Sequence, residues 1–288
     1  MKQNQASLTA AGIAVVRAIE SARPQGERIC YDPYARRFAA PALYYLAKFF
    51  VDIGYSEWRG PGVMGFLVSR ARYFDDTLQT CLDGGLEQLV ILGAGYDSRA
   101  YRFAGLREGV RVFEVDHPAT QSVKIEKLKR ILGQVPAYVT YVPIDFTQAT
   151  LEQRLCTSGY DDRRKTLFTW EGVTQYLTPA AVDETLAFVA NHSGAGSSIV
   201  FDYMYTSLLD GTVRHGEVSG MRRYRGLTGE ELVFGIPEGA IEEFLRQRGF
   251  DQVVNVDQAY FKRAYFTTPR NQKRKVAAGY AIAVGVIA

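Results

Sequence analysis

Histidine, cysteine and tryptophan are scarce: 288 residues include three, three and two of them. Cys30, Cys81 and Cys156 are odd in number and far apart, without the paired spacing of a metal site or disulfide framework. Free thiols in a reducing compartment, and no metal, are expected. Long apolar runs are also missing. The stretch 43–53 is broken by Lys48 and Asp52, and 276–288 falls short of the ~20 residues of a membrane span. The first residues, Met1 to Gln5, carry no apolar signal core, so a cytoplasmic location without a membrane partner is expected. Nor is one sign of charge in excess. A formal net charge of +3, with no basic stripe interleaved with aromatics, argues against a nucleic-acid partner. The basic run 270–275 reads as a solvated hairpin loop between two strands.

What is present is enough apolar content, 47%, for one large core. Residues 7–22 and 63–82 repeat apolar side chains near helical spacing, marking 1–86 as an N-terminal helical region. From residue 87, short apolar runs alternate with helix-compatible segments, which predicts an α/β fold with a doubly wound, mostly parallel sheet. Thr178-Pro179 reads as a helix start, and 198–203 as the fifth strand ending a core at 87–203. Residues 204–235 lose the alternation and read as a lid insertion. The remainder, 236–288, is expected to hold a helix ending at Gly249, a strand at 251–256 and a last, antiparallel strand within 276–287. All of this forms a single domain.

The most informative segment is Leu89-Val90-Ile91-Leu92-Gly93-Ala94-Gly95-Tyr96-Asp97-Ser98-Arg99, a buried-strand run breaking into a Gly-x-Gly turn. Glycine lets main chain bend sharply and approach a ligand. A dinucleotide site places a third glycine three residues on, against a pyrophosphate. Here that place is Ser98, and Asp97 would set a carboxylate beside the phosphates. A phosphate-free nucleoside fits better. Asp116, 21 positions after Gly95, closes the second strand where an acid meets ribose hydroxyls. Asp145 and Phe146 at the third strand end suit an adenine, by accepting its amine and stacking on its face. Glu171 at the fourth strand end suits an ammonium, and Arg70 upstream suits a carboxylate. Each has a plainer alternative: a turn acid, a helix cap, a solvated helix residue.

Together, Arg70, the 93–99 turn, Phe113-Glu114-Val115-Asp116-His117-Pro118, Asp145 and Glu171-Gly172-Val173-Thr174-Gln175-Tyr176-Leu177 resemble the leucine carboxyl methyltransferase family, in its bacterial branch. That branch lies within the class I S-adenosylmethionine-dependent methyltransferases. Segments 8–21 and 32–35 resemble it too, and the likeness runs over roughly residues 7 to 205. The resemblance implies a seven-stranded Rossmann-like methyltransferase sheet with an antiparallel last strand. It also implies S-adenosyl-L-methionine as cofactor, held around Arg70, Gly93, Ala94, Gly95, Asp97, Asp116, His117, Asp145, Phe146 and Glu171. One departure is Thr147, where the eukaryotic members place a substrate-holding arginine.

The expected activity is O-methylation, most simply of a carboxylate on a small molecule or peptide, because an ionised acceptor needs no base and His117 alone adjoins a motif. His117 is expected to flank the cofactor. Tyr176 and Tyr203 are candidates for orienting substrate, with Arg222, Arg223 and Arg225 of the lid drawing in an anion. A hydroxyl O-methyltransferase, a catalytically silent cofactor-binding protein and, more remotely, an NAD-dependent oxidoreductase are the rivals. A monomer or weak homodimer is expected.

Overall fold

A computed structural model describes residues 8–145, 149–212 and 231–288. Five helices precede the first strand: α1 (Leu8–Ser21), α2 (Ala35–Phe38), α3 (Pro41–Asp52), α4 (Tyr55–Arg59) and α5 (Val63–Asp83). The sheet has seven strands: β1 (Gln88–Leu92), β2 (Arg111–Asp116), β3 (Val139–Pro143), β4 (Thr166–Trp170), β5 (Ser198–Met204), β6 (Gln252–Val256) and β7 (Tyr280–Val286). Between strands run α6 (Arg99–Arg102), α7 (Pro118–Leu132), α8 (Leu151–Thr157), α9 (Pro179–Asn191) and α10 (Thr206–Leu209). Three more follow: α11 (Ile241–Arg246), α12 (Gln258–Tyr265) and α13 (Pro269–Gln272). No helix among the described residues is long and apolar enough to cross a membrane.

The strand order is β3-β2-β1-β4-β5-β7-β6, with β7 antiparallel to both its neighbours and the β3-to-β5 series parallel. Strands β1, β4 and β5 are buried at every position, as strands covered on both faces must be. Their alternation divides the core. Leu89, Ile91, Leu167 and Val200 pack with Phe66, Phe74 and Leu78 of α5 on one face. Val90, Leu92, Phe168 and Phe201 pack with Leu186 and Val189 of α9 on the other. Each such side chain contributes about 1.5–3 kcal/mol when removed from water, so the period-two pattern fixes which face every strand residue serves. Thr178 caps α9 as its sequence predicts, its Oγ1 accepting the Ala181 N–H at 3.3 Å.

The basic run departs from the expected hairpin. Although β6 and β7 are antiparallel neighbours, α12 and α13 connect them. Asp257 caps α12, accepting the Tyr260 N–H at 2.9 Å. Arg274 is tied down, forking onto Glu20 with two 2.8 Å bonds, and Lys262 donates to the carbonyls of Gln272 and Arg274. Of the segment read as a lid, 204–212 and 231–235 are described; the three lid arginines lie outside the described residues, as do Phe146 and Thr147.

Candidate active site

In this strand order the chain reverses direction of travel between β1 and β4, the place where open α/β sheets bind ligands at strand C-terminal ends. A cavity of about 430 Å³ opens there, and Arg70, Gly93, Ala94, Gly95, Asp97, Asp116, Glu171 and Tyr176 all line it. Its size is within the range of small-molecule sites. Gly93 and Gly95 both have positive φ, +66° and +43°. A Cβ at Gly93 would stand 2.5 Å from Val173 Cγ2, and one at Gly95 3.2 Å from Ala10 Cβ. A side chain at Gly93 would force Val173 to shift, one at Gly95 would crowd Ala10, and the positive φ strains any residue but glycine at both.

Past the turn the chain differs from a phosphate cradle. Ser98 is buried, accepting Arg102 Nε at 3.0 Å, and α6 is a single turn of four residues. Asp97 stands on the cavity wall. Burial disfavours its charge, but Arg99, Lys124 and Arg17 prevail and hold the carboxyl well below the usual range. An ionised carboxylate paired with Arg99 therefore stands on the wall just past the glycine turn.

Asp116 closes β2 and accepts two backbone N–H groups, Gly95 at 2.5 Å and His117 at 2.6 Å. Burial raises its pKa, against those two donors. A carboxylate has about four acceptor sites, so two hydrogen bonds leave capacity for hydroxyls. Asp145 follows β3 at Asp116's side, where the Ile144 N–H donates to the Asp116 carbonyl at 2.9 Å, but it is not part of the cavity wall. His117 is also off the wall. Its Nδ1 accepts the Ala119 N–H at 3.3 Å, making it the N-cap of α7.

Behind the wall lies a buried lattice of charge. Arg70 donates from Nε to Glu171 at 3.0 Å and from Nη1 to Asp202 at 2.7 Å. Arg99 reaches Glu171 at 2.7 Å, Asp97 at 2.6 Å and Asp75 at 2.7 Å. Arg102 joins Asp75, while Arg17 joins Asp32 at 3.0 Å and the Tyr96 carbonyl at 2.5 Å. Burial opposes charge on Glu171, yet Arg99 and Arg70 hold it below the ordinary carboxylate range. Removing one member of such a buried set leaves a charge uncompensated, at about 3–5 kcal/mol. Arg70 and Glu171, read separately from sequence, are thus one pair with both carboxylate oxygens and two of three guanidinium nitrogens engaged. Arg17, Arg99 and Asp202 were not anticipated as site residues. The readable signal for Arg99 was its place directly after the glycine turn.

Tyr176, Leu177 and Glu231 also line the cavity, and the Val233 N–H donates to the Gln175 carbonyl at 2.8 Å, tethering the chain there. Tyr203 corrects the expectation that it orients substrate. Strand alternation turns Asp202 toward Arg70 and Tyr203 to the opposite face, where its hydroxyl donates to Asn255 at 3.1 Å away from the cavity.

A proposed S-adenosyl-L-methionine-dependent methyltransferase of Bacillus subtilis is 35% identical over 182 residues, 63% of this chain and 60% of its own. One from Streptomyces coelicolor is 35% identical, with 66% of each chain covered. The match therefore spans less than two thirds of these relatives. A Mycobacterium marinum protein of the same description is 28% identical over 92% of this chain and 88% of its own. Two crystal structures share the fold at 98% coverage of this chain. They are a "duf574 family" protein from Streptomyces avermitilis (98% of that chain, TM-score 0.60, 13% identity) and a proposed methyltransferase from Thermobifida fusca (95%, 0.59, 15%). The profile of the leucine carboxyl methyltransferase family matches residues 10–190, and the chain belongs to that family.

Proposed function

We propose that the protein is an S-adenosylmethionine-dependent methyltransferase that acts on an oxygen, most simply the carboxylate of a small molecule or peptide. The observation that carries this reading is that the 93–95 glycine turn, the strand-end acid Asp116 and the Arg70–Glu171 pair all meet at one cavity. Bound there, the cofactor supplies an electrophilic methyl group on a sulfonium. Asp116 accepts the ribose hydroxyls, with Asp145 beside it on the adenine side. Arg70 and Glu171 serve the carboxylate and ammonium of the methionyl end. Tyr176 borders the acceptor.

Methyl transfer is an in-line displacement, so holding nucleophile and methyl in line is the chain's main task, worth about 7–11 kcal/mol. The described lining residues include no histidine, lysine or cysteine. Asp97 and Glu171 are held ionised by arginines, which makes them poor proton acceptors. An acceptor already ionised suits that wall. Glu231 supports a second reading, since a carboxylate on the cavity wall could take the proton of a hydroxyl acceptor.

Calorimetry with S-adenosylhomocysteine against NAD tests the cofactor, and tighter binding of NAD would overturn the reading. Methyl-labelled cofactor incubated with a metabolite extract, followed by mass identification, finds the acceptor. A labelled product that survives mild alkali is not a methyl ester and removes the carboxylate acceptor.

A further inference from the structure

Seven large apolar side chains are exposed within 16 consecutive residues, on a part of the fold that the cavity does not use. They are Leu43, Tyr45, Leu46, Phe49, Ile53, Tyr55 and Trp58, from 41% exposed at Tyr55 to 71% at Trp58. On α3 two stripes run side by side. Tyr44, Ala47 and Val51 pack against Val15, Ala18 and Ile19 of α1, forming the inner stripe. Tyr45, Leu46, Phe49 and Ile53, spaced one, three and four apart, form an outer stripe facing water. A helix apolar on both faces is ordinarily covered on both, and a contiguous exposed patch marks an interaction surface.

The charges around this patch decide what covers it. Arg36 lies 4.3 Å from the Tyr44 ring centroid and 5.3 Å from that of Tyr45, and Arg59 lies 5.5 Å from that of Trp58. No ion pair among the described residues engages these two arginines. The nearby acids are already committed: Asp52 pairs with Lys48 at 2.5 Å, and Glu57 accepts the Gly62 N–H at 3.0 Å. An apolar stripe with tyrosine and tryptophan at its ends and arginines on its rim has the make-up of an interfacial helix. A second copy related by a two-fold axis would bring the same basic rim to both sides of the contact. An anionic headgroup layer complements it.

We infer that α3 and α4 dock the protein onto an anionic lipid surface. The inner stripe of α3 packs on α1, whose Thr9, Ala10 and Ile13 line the cavity, so docking sets the cavity's helical wall beside the membrane. The inference is independent of the acceptor and of methyl transfer.

Vesicles of phosphatidylcholine, with and without phosphatidylglycerol, provide the test. Trp58 is exposed and Trp170 is 2% exposed, so a blue shift of tryptophan fluorescence on adding vesicles reports Trp58. The expected result is co-sedimentation and a blue shift with the anionic vesicles alone, weakened by salt. Phe49→Ser/Trp58→Ser should lower the sedimented fraction at least about tenfold with the helical circular dichroism unchanged. Equal sedimentation by the double variant overturns the inference. So does a wild-type protein that stays in solution, and a dimer that the same substitutions dissociate would then assign the face to a second copy.

Discussion

Replacing Lys124 by methionine separates charge from packing beneath the glycine turn. Lys124 and Glu114 are 1% and 0% exposed at the side chain, with Nζ and Oε2 2.9 Å apart. Glu114 Oε1 accepts the Tyr101 hydroxyl at 2.8 Å, and that hydroxyl lies 3.0 Å from the one of Tyr141. Methionine matches much of the lysine stem, so little volume is lost. What remains is a carboxylate in an apolar interior, facing one phenol. It escapes by taking a proton, and the magnitude follows from that escape. Measured from an ordinary value of 4.5, neutralising the carboxyl at pH 7 costs 1.36 kcal/mol for each of about 2.5 units, or about 3.4 kcal/mol, a ceiling because burial already raises the wild-type Glu114 pKa against Lys124. At pH 5 the same step costs about 0.7 kcal/mol. Urea denaturation followed by circular dichroism should therefore show Lys124→Met losing up to about 3 kcal/mol at pH 7 and under about 1 kcal/mol at pH 5. Lys124→Met/Glu114→Gln should recover most of the loss at pH 7. A deficit of the same size at both pH values would mean lost packing, and the electrostatic reasoning would fail. The double variant carries a second consequence. Lys124 Nζ also donates to the Ala94 carbonyl at 3.3 Å, so the recovered fold should still bind S-adenosylhomocysteine about tenfold more weakly.

Asp116→Ala should weaken S-adenosylhomocysteine about ten- to a hundredfold by calorimetry, the range for hydrogen bonds to a charged acceptor, and unchanged affinity would dissociate Asp116 from the ribose. Because the carboxylate is the accepting form and its pKa is raised above 3.8, wild-type affinity should fall on acidification at a higher pH than an ordinary aspartate would give. Gly93→Ala forces alanine to φ +66° against Val173 and should abolish ligand-induced thermal stabilisation; adding Val173→Ala removes the clash but not the backbone cost of about 1–2 kcal/mol, so binding should return only in part. Asp97 is depressed below its ordinary 3.8, so its stabilisation is complete above that value and disappears as pH falls through the folded pKa. Asp97→Asn should lower stability at pH 7 and flatten the acid limb of a urea-midpoint profile below pH 4.

Much of the frame was legible because local rules set it. Apolar runs of strand length, the Thr178 cap and the glycine turn act over a few residues, and they lie where the sequence places them. Partners were not legible. Arg70 meets Glu171 across 101 positions and Asp202 across 132, so sequence displayed the charges without showing which neutralises which. Tyr203 was not legible for a simpler reason: it lies on β5 near the cavity end, and strand parity alone turns it to the other face. The two helices of the 258–272 segment, capped by Asp257 and Thr268, were not legible because both are short and adjoin a basic run that reads as loop.

The pairing also bears on how the site discriminates its ligands. The lattice of Asp32, Asp75, Asp97, Glu171 and Asp202 holds five carboxylates against four guanidiniums, Arg17, Arg70, Arg99 and Arg102. Asp116 adds another acid to the wall. S-adenosylmethionine carries a sulfonium, an ammonium and a carboxylate, a net charge of +1, whereas the demethylated product has none. Under the proposed function, an acid-rich wall in a partly desolvated cavity would favour the methylated form over the product. Sinefungin, with an amine in place of the sulfonium, keeps the positive charge and cannot react. It should bind more tightly than S-adenosylhomocysteine, by a margin that narrows with added salt. Equal affinities would show that the excess acid is screened from the ligand and that the lattice serves the fold alone.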